Sequence, residues 1–598
     1  MNDIHVDAPI LSDHAIVSFK CPVIKPQSSK VTITTRKIKN IDIASFSEDI
    51  KRSELCLNPA GDIDSLVIQY DKVLSSIFEK HAPKIEKAQT VRCFSPWFND
   101  DVKKSKTSRR KAERRWRKHK NTIHEELYRA AHKEYVSICE QAKKGFYQSK
   151  IDESKGDPKT VYRIADKLMS KNDSLILPSH TDTQELAESF SEYFDDKIAK
   201  IRTILEGNRT SQATDEYTAG TVPKMSNFKP VSEDELRKLI MSSNSKSCNL
   251  DPIPTQLLKA CIDALLPTIS DIVNKSIASA IVPNQFKVAT VTPLLKKKSL
   301  DPENHKNYRP VSNLPYMSKI LEKVVMSRLD EHLDSHDLRE SLQSAYRSCH
   351  SVETALVKVF NDCLLSIDKK QILLLILLDL SAAFDTIDHC VIMQRLEKLF
   401  GITGSALDWL RSYFKERFQT VVIKNMSSQP KELSTGVPQG SVVGPSVFSA
   451  YTQPLGTIVR MNGVSLHLYA DDTQLYTACK VDEAHLSKEK LEECIKDVRN
   501  WMADNLLKLN DEKTEYLILG SHHMLKKVPD DLKSVTIGSQ TITATDSARN
   551  IGVIMDPALT MEKLVATVSR SCYIGMRRIS RIRRYISEDT AKNWYKHL

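Results

Sequence analysis

No stretch of this chain is apolar for long enough to cross a bilayer. The longest notable run, Ile372 to Leu378, is seven residues, against the roughly 18 to 20 that a spanning helix needs. Twelve cysteines are scattered without one CxxC pair, so their spacing gives neither a zinc ribbon nor a thioredoxin-type motif, and a reducing compartment is the simpler expectation. Met1 to Phe19 holds three acidic groups and no Lys or Arg, and no secretory leader is expected in it. A GxxxxGK[ST] loop, a GxSxG elbow and an HExxH pair are also lacking, and no internal repeat stands out. A membrane-bound or secreted protein is not expected.

What is present is a balance of 40% apolar and 27% charged residues over 598 positions, which fits a folded protein of several domains at about 150 residues each. Lys and Arg number 87 against 76 Asp and Glu, and this excess makes a polyanionic partner plausible. The charge is concentrated. Lys103 to Lys150 carries 16 Lys or Arg and five Asp or Glu, with Trp116, Tyr128, Tyr135, Phe146 and Tyr147 interleaved. The core of that segment, KKSKTSRRKAERRWRKHK, has no Gly or Pro and predicts a long basic helix. Clustered cations with aromatics suit phosphates and base stacking; a solvated helix face or a localisation signal is the alternative. From Gly207 to Pro230 apolar periodicity gives way to Ser, Thr, Gly, Pro and Asn, which reads as a linker with a boundary near residue 225. A helical signal at Leu236 to Ile240 follows. Beyond it, helical periods alternate with short strands such as Thr290 to Leu294, Gln419 to Ile423 and Tyr516 to Leu519, the pattern of a mixed α/β domain.

Two elements carry chemistry. Ile372 to Leu378, ILLLILL, reads as a strand buried on both faces that ends on Asp379, where a carboxylate can meet a cation or, alternatively, cap a helix starting at Ser381 to Phe384. Val464 to Tyr476, VSLHLYADDTQLY, reads as a β-hairpin turned at Asp471 and Asp472. Three carboxylates on neighbouring strands repel one another unless a cation neutralises them, and Asp oxygens are ligands that Mg²⁺ prefers. Two such ions stabilise the attacking and leaving oxygens of phosphoryl transfer, so nucleotidyl transfer is the implied reaction. His332 and His336, spaced i, i+4 in EHLDSHD, read as solvated histidines.

Tyr469-Ala470-Asp471-Asp472 resembles the YxDD box of reverse transcriptases, and LLDLSAAFDTIDH, Leu377 to His389, resembles their motif A. TGVPQGSVVGPSVFSAY, Thr435 to Tyr451, is similar to motif B. NYRPVSNLPYMSKILEKVV, Asn307 to Val325, resembles the fingers motif of non-LTR retrotransposon enzymes. WMADNLLKLNDEKTEYLILG, Trp501 to Gly520, and ARNIGVIMD, Ala548 to Asp556, resemble motifs D and E. The resemblance covers about residues 230 to 598 and implies an RNA-directed DNA polymerase of the long interspersed, non-LTR type. Its fold class is α/β (α+β), a right hand of fingers, palm and partial thumb whose palm is a small antiparallel sheet backed by helices. It also implies two Mg²⁺ ions, with Mn²⁺ as a substitute, held by Asp379, Asp471, Asp472 and the main chain of Leu380. Phe384 matches the aromatic gate against a ribose 2′-OH, although it also suits packing. Gly436, Pro438, Gln439 and Gly440 match the turn that approaches nucleotide and template. Arg309 matches the arginine that holds the triphosphate, with Lys296 to Lys298 as weaker candidates, and Lys513 the lysine that protonates departing pyrophosphate. The implied partners are an RNA template, a DNA primer and dNTPs, with action in the nucleus or cytoplasm.

At the front, Leu11-Ser12-Asp13-His14 followed by Ala15-Ile16-Val17 resembles the last motif of the apurinic-type endonuclease that precedes such polymerases. Its other motifs are not in this sequence, so no nuclease activity is expected, and a separate nuclease or an element RNA-binding protein is a candidate partner. The tail from Arg570, with Arg577, Arg578, Arg581, Arg583 and Arg584, resembles the start of a thumb. The expected layout is an endonuclease remnant over 1–35, a mostly helical basic linker region over 36–225, fingers and palm over 226–555, and a truncated thumb over 556–598. A catalytically inactive, truncated nucleic-acid-binding protein derived from a retroelement is the alternative reading.

Overall fold

The computed structural model describes residues 2–7, 16–20, 30–90, 95–153, 163, 164, 166, 175–207, 222–245, 248–538, 540–583, 588 and 592. Asp13 and His14 lie outside the described residues. The chain divides into two units, one of Met1–Ile41, Glu79–Lys171 and Met576–Leu598, the other of Asp42–Phe78 and Asn172–Gly575.

In the first unit Asn2–Asp7 pairs antiparallel with Ile16–Lys20, and Lys30–Thr35 with Ile85–Thr90. The expected basic helix runs over Asp100–His119, capped by Asn99, whose side chain accepts from Val102 N at 3.0 Å. Lys120, in the left-handed region at φ 46°, ends it, and a second helix, Thr122–Glu153, follows. The interleaved aromatics are engaged within this helix pair. Trp116 stacks on Tyr128 at 5.3 Å, and the Arg109 guanidinium lies 5.2 Å over Tyr135, so the rings stabilise the pair through stacking and cation–π contact.

The second unit holds helices α1 (Thr183–Gly207), α2 (Tyr316–Ser335), α3 (Val352–Asp368), α4 (His389–Lys398), α5 (Val443–Thr452) and α6 (Ala484–Asp504). Its main strands are β1 (Val288–Leu295), β2 (Tyr308–Asn313), β3 (Ile372–Leu378), β4 (Phe418–Ile423), β5 (Ser465–Tyr469), β6 (Asp472–Cys479) and β7 (Glu515–Leu519). One sheet centres on β1, antiparallel to β2 and parallel to β4. The apolar face of α1, through Leu186, Phe190 and Phe194, covers Val291, Tyr308, Val421 and Ile423 of that sheet.

The other sheet has the order β5-β6-β3-β7, every pair antiparallel. As its unbroken apolar run predicts, β3 is buried on both faces. Leu373 and Leu375 pack with Val359 and Cys363 of α3 and with Leu517 and Leu519 of β7, while Leu374 and Ile376 on the opposite face are fully enclosed. Truncating one such leucine to alanine costs about 2–5 kcal/mol, so this strand is a rigid mount for whatever follows it. The mixed helix-and-sheet class agrees with the sequence reading.

Two local expectations are corrected. The helix considered at Ser381 to Phe384 does not form: Leu380–Ser381 pairs briefly with Lys508–Leu509, turns follow, and α4 begins at His389, capped by Asp388. Asp379 therefore caps nothing. His332 is buried rather than solvated, with Nε2 at 2.8 Å from the Phe400 carbonyl, because α2 turns that side of its polar stretch against the core.

Candidate active site

The hairpin of β5 and β6 pairs Tyr469 with Asp472, leaving Ala470 and Asp471 as a two-residue loop. Ala470 takes φ 57°, a conformation that costs an L-residue about 1–2 kcal/mol. The strain is held by Gln343, whose Oε1 accepts from Ala470 N at 3.1 Å and also from Ala345 N at 2.9 Å. Along the same edge Leu468 N donates to Leu342 O, and Ser344 N to Leu468 O. The segment around Gln343 thus braces the turn that presents Asp471.

Thr473 of β6 lies opposite Leu378 of β3. One step outward the same register sets Asp472 beside Asp379, the juxtaposition expected from the sequence. Asp379 is fixed by three contacts: its carbonyl accepts from Asn510 N at 2.9 Å, and its Oδ2 accepts from Lys513 Nζ at 2.7 Å and Asn510 Nδ2 at 3.2 Å. Burial and the charge of Asp379 hold the Asp471 carboxyl above its usual range, opposed by the Lys513 ammonium. The Asp472 side chain reaches solvent at its edge, yet burial, then the charges of Asp471 and Asp379, push it up to about 6. The triad is short of positive charge: Lys513 pairs with Asp379 and its charge also acts on Asp471 and Asp472. Its donors fit divalent cations: hard carboxylate oxygens, rigidly mounted, with mutual repulsion to relieve. Among the described residues no three carboxylates, histidines or cysteines enclose an ion-sized point as they stand; Asp379 gives its Oδ2 to Lys513 and Asn510. Leu380 pairs with Leu509 at the position next to the bonded Asp379–Asn510 pair. Because hydrogen-bonded positions alternate in an antiparallel ladder, its carbonyl points away from that ladder.

Asp471 and Lys513 line a cleft of about 1120 Å³, which also takes in Arg309, Phe384, Gln439 and Gly440. Of the residues matched to the polymerase motifs, Leu380 and Pro438 also line the cleft, Asp379 and Asp472 lie at the carboxylate cluster beside it, and Gly436 is outside its lining. Another part of the wall is cationic. Arg309, exposed on β2, is joined by Lys296, Lys306 and Lys197. Partial burial and the charges of Lys197, Lys513 and Arg309 hold the Lys296 ammonium below an ordinary lysine. Lys297 and Lys298 are exposed and outside the lining.

The Thr435–Gly440 loop is strapped to the segment that follows Asp379. Gly436 N donates to Ile387 O at 2.7 Å, Val437 N to Phe384 O at 3.0 Å and Thr435 Oγ1 to Asp385 O at 3.2 Å. Gln439 Nε2 donates to both oxygens of Asp385, at 2.9 and 3.0 Å, and its carbonyl accepts from Ser312 N at 3.0 Å. Gly440, at φ 133°, packs so closely on β2 that an added Cβ would sit 2.5 Å from Ser312 O. The loop ends at α5, where the buried Glu322 carboxylate accepts from Val442 N at 2.6 Å and Val443 N at 3.3 Å, satisfying donors that a helix start leaves open. Phe384 lines the cleft and packs on Phe448 of α5, the rings stacked at 5.0 Å.

Sequence reasoning missed Gln343, Glu322 and Asp385. The one signal available for Asp385 is a carboxylate next to Phe384 in an otherwise apolar run; the other two act through partners more than a hundred residues away.

Comparison with known proteins agrees with this geometry. Residues 295–555 match the family model "Reverse transcriptase (RNA-dependent DNA polymerase)". The chain is 23% identical over 575 residues to a protein of Drosophila melanogaster described as a probable RNA-directed DNA polymerase from transposon BS, covering 93% of this chain and 62% of that protein. It is 24% identical over 356 residues to the RNA-directed DNA polymerase from mobile element jockey of the same fly, covering 58% and 38%. Over 385 residues it is 23% identical to the corresponding probable enzyme of transposon X-element, covering 64% and 40%. The chain spans less than two thirds of the length of each of these relatives. Residues 295–555 are thus the part of the chain that is similar to the reverse transcriptase domain of RNA-directed DNA polymerases.

Proposed function

We propose that the chain is the polymerase of a non-LTR retrotransposon, extending a DNA primer on an RNA template with dNTPs by nucleotidyl transfer, in the right-hand arrangement whose fingers and palm span 226–555 and whose thumb begins at 556. The observation that carries this reading is the cluster of Asp379, Asp471 and Asp472 at a cleft with a cationic wall. A primer terminus and a triphosphate are what such a pair of surfaces accommodates. Asp379, Asp471, Asp472 and the Leu380 carbonyl would hold two Mg²⁺ ions, which supply the charge that activates a 3′-hydroxyl and stabilises pyrophosphate. Arg309, with Lys197, Lys296 and Lys306, orients the triphosphate, a task suited to a guanidinium fork. Phe384, held by Phe448, excludes a 2′-hydroxyl. Gln439, gripped by Asp385, and Gly440 shape the floor under the base and template. Lys513 stands by Asp379 as the acid for the leaving group. Residues 1–35 are proposed to belong to the end of an endonuclease domain, and the action is assigned to nucleus or cytoplasm.

The test is primer extension by the full chain on RNA annealed to a DNA primer, with Mg²⁺ and dNTPs, beside Asp471→Asn and Asp472→Asn. The parent extends and both variants lose at least a thousandfold in rate while keeping the parental circular dichroism spectrum. Extension by the variants at the parental rate would remove the carboxylates from the chemistry. Salt-sensitive duplex binding with no extension by any of the three would leave the nucleic-acid-binding alternative standing.

A further inference from the structure

In the second unit, away from the residues assigned to polymerisation, a separate cavity of about 220 Å³ is lined by Tyr70 and Asp71 of the helix Ile63–His81, by Asp251, by Gln285, and by Val288 at the start of β1. Two of its polar groups have no hydrogen-bond partner among the described residues. Tyr70 is 1% exposed, and its hydroxyl is buried with no hydrogen-bond partner among the described residues. The Gln285 Oε1 is buried and unpartnered in the same sense. A buried hydroxyl or amide left without a partner keeps the full cost of its lost hydration, and two on one cavity call for an occupant.

The occupant must also answer charge. Asp251 is rigid: Oδ1 accepts from Tyr316 N and Oδ2 from Cys248 N, each at 2.7 Å, which leaves each oxygen a further lone pair. No described residue hydrogen-bonds to the Asp71 carboxylate. Burial and the like charge of Asp251 push Asp71 up to about 7, while the Lys319 ammonium on α2 acts against the burial that raises Asp251. Water alone would satisfy Tyr70 and Gln285 but leave the mutually repelling Asp71 and Asp251 on one partly buried cavity. A dication meets both needs. Its donors would be hard oxygens, and at roughly 30 Å³ per water the cavity has room for an ion with part of its hydration shell, the mode in which Mg²⁺ is held by one or two carboxylates.

We propose that Asp71, Asp251, Tyr70 and Gln285 form a binding site for one hydrated divalent cation, which fastens the helix Ile63–His81 to the segments at residues 248–252 and 315–317. The role is structural, so binding shows as stability rather than turnover, and the inference stands or falls independently of polymerase activity.

The experiment uses the full chain carrying Asp471→Asn and Asp472→Asn, which removes two of the carboxylates proposed for the polymerase ions, and counts bound Mn²⁺ by electron paramagnetic resonance. One Mn²⁺ per chain remains, displaced by Mg²⁺ and not by K⁺. Adding Asp71→Asn weakens it at least tenfold, and adding Tyr70→Phe, which deletes a single oxygen, weakens it severalfold. Urea unfolding supplies a second readout. In chelator, Asp71→Asn is at least as stable as its background, because it removes an uncompensated charge; in Mg²⁺ the order reverses. Absence of residual Mn²⁺, an affinity indifferent to Asp71→Asn and Tyr70→Phe, or stabilisation by K⁺ as strong as by Mg²⁺ would each overturn the proposal. Should Asp71→Asn fold poorly, Tyr70→Phe and Gln285→Leu decide the question alone.

Discussion

Gly436→Ala should damage this protein far more than its size suggests, and the structure says by how much. Gly436 takes φ 75°, and a Cβ built on it would lie 2.6 Å from the carbonyl oxygen of Asp385 and 2.7 Å from its carbonyl carbon and Cα. These are backbone atoms, locked by the Thr435, Gly436 and Val437 hydrogen bonds to Phe384–Ile387, so no side chain can swing away. The left-handed conformation costs alanine about 1–2 kcal/mol, the overpacking about 1–3 kcal/mol, and the reduced freedom of the unfolded chain returns about 0.4–1 kcal/mol, a net loss of roughly 2–3 kcal/mol. Gly463 is the control: it has φ 64° but nothing within 4 Å of an added Cβ, so Gly463→Ala suffers only the conformational part, a net of about 1 kcal/mol or less. Urea midpoints of the full chain, multiplied by a common slope, give the two values. Because the displaced segment carries Phe384 and Asp385, the Gly436 variant should also raise KM for dNTPs in primer extension, while Gly463→Ala leaves it alone. Equal destabilisation of the two variants would refute the close approach and, with it, the account of how the loop is held.

Two further outcomes are expected. Ala470→Gly relieves the positive φ of the turn and should stabilise the chain by up to about 1 kcal/mol; a loss of more than 1 kcal/mol in urea unfolding would mean the turn is not strained. His467 is buried on β5, its Nε2 at 3.0 Å from Ser344 Oγ and its Nδ1 unpartnered among the described residues. Burial, with Lys358 and His350 nearby and Asp362 opposing, pushes it down from 6.5 to about 4. The unfolded chain therefore takes up this proton first, so the contribution is complete above pH 6.5 and is lost as pH falls toward 4. At about 1.4 kcal/mol per pH unit it reaches about 3 kcal/mol. His467→Gln should flatten the stability profile between those limits relative to the parent, and an unchanged profile would place the imidazole in solvent.

The parts of the site that the sequence revealed are those whose chemistry is local. β3 announces itself as seven apolar residues ending on a carboxylate, and the hairpin by two apolar arms around adjacent acids; both depend only on near neighbours. Even the meeting of Asp379 with Asp472 follows from pairing two strands that each end in Asp. What holds these groups in place was illegible for the opposite reason. Gln343 reaches across 127 residues to Ala470, Gln439 across 54 to Asp385, and Glu322 across 120 to Val442, and neither residue of any such pair advertises the other. A buried Glu on an amphipathic helix reads as an exposed one until the helix start it caps is packed against it. The expected helix at Ser381 fails in the same way: Ala382 to Phe384 suit a helix locally, but the Thr435–Val437 strap claims the Phe384, Asp385 and Ile387 carbonyls, and the short Leu380–Leu509 ladder claims the chain just before. Tertiary hydrogen bonds outweigh propensities worth a few tenths of a kcal/mol per residue, and they do so where the chain must leave a rigid strand, present Asp379 and form the wall of a cleft within a few residues. Candidate catalytic groups can therefore be read from residue type and spacing, whereas the residues that position them emerge only when the chain closes on itself.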